Sequence, residues 1–151
     1  MNNRSILFLV VITLFTACKQ APKDDKNFSI TYGTRQDLGE WLSWMTLTLQ
    51  GAYLKYARSG RGKAKFGANC IIKLKDEDRK QLFSLIDLEK IKKLPERNET
   101  KEGFVYGEEW ISVSTAQVEK TIIFDYENSP WEIRPLVNKL RRLSDGFKDC
   151  K

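Results

Sequence analysis

The sequence predicts an α+β fold: two layers, with an antiparallel sheet of about four to five strands and two helices packed on one face. Three observations lead there. Period-two alternation of apolar residues occurs in two separate blocks, each block is followed by a helical apolar stripe, and the order strands, helix, strands, helix lets a single sheet face bury both stripes.

In the first block Phe28, Ile30 and Tyr32 alternate with Ser29 and Thr31, and Met45, Leu47 and Leu49 alternate with Thr46 and Thr48. The apolar positions resume out of phase at Leu54 and Tyr56, so Gln50 and Gly51 are expected to form a bulge. Ser59-Gly60-Arg61-Gly62 reads as a flexible hairpin loop, because glycine supplies the positive backbone angles that such loops use. Phe66, Ala68, Cys70, Ile72 and Leu74 then share one face of a returning strand, which points Cys70 inward.

Asp76, Glu77 and Asp78 open the first helix, where acidic side chains complement the exposed amides. Leu82, Phe83, Leu85 and Ile86 form its buried stripe, and a further turn or short helix through Leu88, Ile91 and Leu94 stops at Pro95. In the second block Ile111 and Val113, then Ile122, Phe124 and Tyr126, mark two strands of a hairpin that turns near Ala116 and Gln117. Ser129, Pro130 and Glu132 have capping-box spacing, whereas Pro135 moves the start of the regular helix toward Arg134. Leu136, Leu140, Leu143 and Phe147 complete a terminal amphipathic helix.

The chain has 151 residues, with 41% hydrophobic and 30% charged side chains, which is the composition of a globular domain of ordinary size. Its formal charge of +6 favours acidic partners, though mildly. No nucleic-acid recognition motif is present, so nucleic acid is not expected as a partner.

The N-terminus carries separate information. Asn2, Asn3 and Arg4 precede an apolar run over residues 6–15, and Thr16 and Ala17 lead into Cys18. A basic start, a short apolar core and small residues at its end describe a secretory signal, too short for a stable membrane span. Small residues running into a cysteine resemble the lipobox of bacterial lipoproteins, with Phe15 where that family prefers leucine. The resemblance implies cleavage of a signal peptide at 1–17 and lipidation of Cys18, followed by a tether at 18–26 and a single domain at 27–151. It places the protein in the bacterial cell envelope, lipid-anchored and extracytoplasmic, with the membrane met only through the lipid. Asp24 and Asp25 resemble the acidic surface-export signals of Bacteroidetes lipoproteins, although farther from the cysteine than usual; the same stretch also reads as a solvated linker.

With Cys18 set aside, Cys70 and Cys150 remain in a compartment that permits disulfides, and they are expected to pair. A bridge closing so long a loop contributes roughly 3 to 5 kcal/mol in the chain-entropy account.

The chain contains no histidine, which removes His-dependent nucleophile arrangements, histidine bases and His-ligated zinc. Two distant cysteines are not a metal-ligand spacing, and no cofactor motif is present. Glu108 and Glu109 are adjacent on a strand and point to opposite faces, while Asp125 and Glu127 share a face but sit in turn chemistry. Neither catalytic residues nor a metal site is expected.

Two candidate binding features remain. Lys55, Arg58, Arg61, Lys63 and Lys65 make a basic hairpin without an acid, suited to anionic headgroups, polyanionic glycans or an acidic protein, and equally readable as a charged solvated loop. Trp41 and Trp44, placed before the second strand, form either a stacking or anchoring surface or a lid on the open end of the core; Trp110 and Trp131 are expected to cap that core. These features point to a non-catalytic binding module for a protein or an anionic envelope component, a class that includes inhibitors and immunity proteins. The alternatives are a structural accessory subunit of an envelope complex and, least supported, a carboxylate-dependent hydrolase.

Overall fold

Alternation along the strands sorts each one into an apolar and a polar side, and pairing in register gathers the apolar sides onto one face. The computed structural model of the chain describes residues 28–37, 41–62, 67–98, 107–147 and 150, with the side chains of residues 41, 61 and 62 outside that description. The signal segment, Cys18, the tether, Lys63 and Lys65 lie outside the described residues. In chain order the elements are β1 (Ser29–Asp37), β2 (Trp41–Gln50), β3 (Tyr53–Gly62), β4 (Gly67–Lys73), α1 (Asp76–Ser84), α2 (Leu88–Lys93), β5 (Arg97–Asn98), β6 (Glu108–Ser114), β7 (Glu119–Asp125) and α3 (Arg134–Asp145).

The class is mixed α+β, as expected, but the described residues form seven strands and three helices. The sheet order is β4-β3-β2-β1-β6-β7-β5, antiparallel throughout except for the short β5, which runs parallel to β7. β1 is central, paired to β2 on one side and β6 on the other.

The expected bulge at Gln50 and Gly51 is instead a two-residue hairpin turn: Gln50 pairs with Tyr53, and Gly51 takes φ +59°. A positive angle at the first turn residue matches the right-handed twist of the flanking strands and is natural for glycine. Nor does Ser59-Gly60-Arg61-Gly62 form a loop. It continues β3 to Gly62, because β2 supplies hydrogen-bonding partners as far as Trp41.

Inner-face residues of β1, β2, β3, β6 and β7 share one core with Leu82 of α1, Ile91 of α2 and Leu136, Val137 and Leu140 of α3, so the three helices lie on the same side. Lys139 ties α3 to α1 through Asp78 at 2.8 Å, and that cation holds the Asp78 carboxyl below the usual carboxylate range. α3 begins at Arg134, but the capping box is not made: Ile133 is the N-cap and the Ser129 hydroxyl is buried without a hydrogen-bond partner. Among the described residues no helix is long and apolar enough to cross a membrane.

Cys70 and Cys150 form a disulfide, their Cα atoms 6.2 Å apart. It pins the chain beyond α3 to edge strand β4, and Phe147 stacks on Tyr56 of β3 with ring centres 5.0 Å apart.

Candidate functional site

Two concave surfaces flank the sheet, one on each face. On the outer face, residues 33, 46 and 110 stand in register across β1, β2 and β6. Gly33 is required there: a Cβ at this position would overlap the Trp110 indole, which lies across the bare backbone. Trp44 sits nearby on β2, and Leu42, Trp44, Trp110 and Ile123 line an open groove of about 590 Å³. The Arg35–Glu108 pair, 3.8 Å apart, forms part of its wall. Hydroxyl pairs continue the same face, Thr31 with Thr48 at 3.1 Å and Ser112 with Thr121 at 2.7 Å. A platform of half-buried indoles beside neutral hydroxyls has the make-up of a docking surface, with large rigid anchors and few charges to desolvate.

On the inner face, Glu109 of β6 is 1% exposed and fully engaged. The Tyr32 hydroxyl donates to its Oε1 at 2.8 Å, Arg141 Nε donates to the same oxygen at 3.1 Å, and an Arg141 Nη donates to Oε2. A bidentate guanidinium is the geometry that offsets the cost of burying a carboxylate. Burial first, and the neighbouring Glu109 charge second, push the Tyr32 phenol far above its ordinary value, so it remains a donor. Burial alone would lower the Arg141 pKa, but the Glu109 contacts outweigh it and the value rises. The three residues fasten α3 to β6 and β1.

This triad forms the floor of a cleft of about 380 Å³ under the C-terminal half of α3. Arg58 of β3 and Glu127, after β7, stand among its other lining residues. Glu127 has φ +63°, the one left-handed non-glycine among the described residues, in a turn closed by Asn128 N–H donating to Asp125 O at 2.9 Å. Tyr126 is raised above the usual phenol range, by burial first and then by the Glu127 and Glu109 charges, and its side chain hydrogen-bonds Gln36.

The expected binding residues divide between these surfaces. Lys55 pairs with Ile71 and faces outward, whereas Arg58 lines the inner cleft, so the two do not form one basic surface. The side chains of Arg61 and Trp41 lie outside the described residues; both residues belong to strands, and Trp41 opens β2 instead of preceding it. Trp44 lines the outer groove and also borders the inner cleft. Trp110 is also on the outer face, and Trp131 is 70% exposed, so neither caps the core. The Glu109–Arg141–Tyr32 triad was missed as a unit. Its signal was a charged residue in phase with inward Ile111 and Val113, and an arginine four residues after Val137 on the apolar side of α3. Among the described residues no group of three potential ligands is placed to hold a metal ion.

Against known proteins, the chain matches no protein-family model and no curated protein.

Proposed function

We propose that this protein is a membrane-anchored extracytoplasmic lipoprotein acting as a non-catalytic binding module, which docks a protein of the cell envelope on the outer face of its sheet. Lipidated Cys18 holds it to the membrane, and residues 19–26 give the domain its reach. The observation that carries the reading is the outer groove: Trp44 and Trp110, both half-buried, line it together on a face opposite all three helices. Aromatic anchors of this kind dominate protein interfaces, and truncating one typically costs 2 kcal/mol or more. The Cys70–Cys150 bridge supports an oxidising compartment, since such bonds persist mainly outside the cytosol.

Mild crosslinking in the envelope, followed by affinity capture of the lipidated protein, tests this. Wild type is expected to retain one stoichiometric protein. The double variant Trp44→Ser, Trp110→Ser should lose it, while Arg58→Glu, Arg61→Glu, Lys63→Glu keeps it. Loss only in the glutamate variant would move the site to the basic hairpin, and equal recovery in all three would remove the outer face from consideration.

A further inference from the structure

At one level of the inner face, neighbouring strands change character together. Ile30 and Tyr32 of β1 give way to Thr34 and Gln36; Leu49 and Leu47 of β2 to Met45 and Ser43; Leu54 and Tyr56 of β3 to Arg58; and Val113 and Ile111 of β6 to Glu109. Thr34 pairs with Met45 and Glu109, and Met45 with Arg58, so polar residues enter this row on three strands while Met45 keeps it in contact with the core. Closing a core asks only for apolar side chains or solvent. A cleft of about 380 Å³ in which hydroxyl, amide and charged groups converge beside Met45, Tyr56 and Tyr126 has the size and mixed lining of a small-molecule site.

Its electrostatics narrow the ligand. The Arg141 charge is consumed by Glu109, which leaves a closed, nearly neutral floor. The remaining charges are mixed, Arg58 against the carboxylates of Glu127 and Asp145 at the negative end of the α3 dipole, so the lining offers an anion no uncompensated cation. An apolar ligand would strand the hydroxyls of Thr34 and Ser43. These hydroxyls both donate and accept, and so match a ligand whose groups do the same. Tyr126, half-buried, adds a ring wall for C–H surfaces. We infer that this cleft binds one neutral, polyhydroxylated ring, a monosaccharide unit or a cyclitol. The site lies across the sheet from the docking face and shares with it only Trp44, which lines both hollows.

The test is saturation-transfer NMR and calorimetry on the purified chain with glucose, galactose, N-acetylglucosamine and myo-inositol, with inorganic phosphate and n-butylamine as charged comparators. Saturable binding of at least one neutral ring is expected, together with a loss of about tenfold in affinity in Thr34→Val, Tyr126→Phe, which deletes two hydroxyls while keeping shape. Trp110→Ser, on the outer groove alone, should bind as wild type does. Thermal melting of each variant separates loss of site from loss of fold, and the single variant Ser43→Ala, expected to bind more weakly with an unchanged melt, serves if the double variant unfolds. No saturable binding by any of the four rings, tighter binding of phosphate or butylamine, or full affinity in the folded variants would overturn the inference.

Discussion

Glu109 shows what a single buried charge demands. Its carboxylate is held by Arg141 and Tyr32, and removing the guanidinium leaves it buried and unpaired. Arg141→Leu is expected to lower stability by about 3–5 kcal/mol in urea unfolding, with Glu109→Leu, Arg141→Leu recovering much of the loss because no lone charge remains. A double variant less stable than Arg141→Leu would show that the pair contributes more than it costs to bury. Tyr32 adds a pH dependence. Its folded value lies above the ordinary 10.0, so the native state holds that proton more tightly than the unfolded chain. The corresponding stability is complete below about pH 10 and drains away as pH rises further. Tyr32→Phe should therefore flatten the alkaline fall in unfolding free energy; an unchanged slope would place the effect elsewhere. The inward direction of Glu109 was legible in its phase with Ile111 and Val113, but its partner was not, since only folding brings Arg141 of α3 over β6.

Elements were legible where alternation and caps agreed, and were misread where local signals competed with pairing. α1 begins at Asp76 and α3 at Arg134, both as their sequences indicate, because acidic first-turn residues and proline chemistry act locally. The glycines at 60 and 62 suggested a loop, yet β2 pairs with them, and ladder hydrogen bonds outweigh a propensity difference of about 1 kcal/mol. β5 is only two residues long and rests on its parallel partner Ile123–Phe124, so no periodicity announces it. The Cys70–Cys150 bridge joins the edge strand to the end of the terminal helix across 80 positions. Replacing both by serine should cost about 2–5 kcal/mol and lower the melting temperature, with reductant doing the same to wild type and nothing to the variant. A melt insensitive to reductant would mean that the bridge does not contribute to stability.

At the scale of the whole molecule, the helices cover one face of the sheet and leave the other to Trp44, Trp110 and their hydroxyl neighbours. Alternation announced that the strands had two different sides. It did not place Trp44 and Trp110 in one groove, because that depends on β1 lying between β2 and β6 and on Gly33 leaving room for the Trp110 indole. The proposed function requires this open face to meet a protein partner. The most direct measurement is in-cell photocrosslinking from a benzoylphenylalanine placed either at Thr46, between the two indoles on the outer face, or at Lys80 on α1 across the sheet. One discrete protein adduct from position 46 and none from position 80 is the expected result. Adducts of equal yield from both positions, or from position 80 alone, would contradict it.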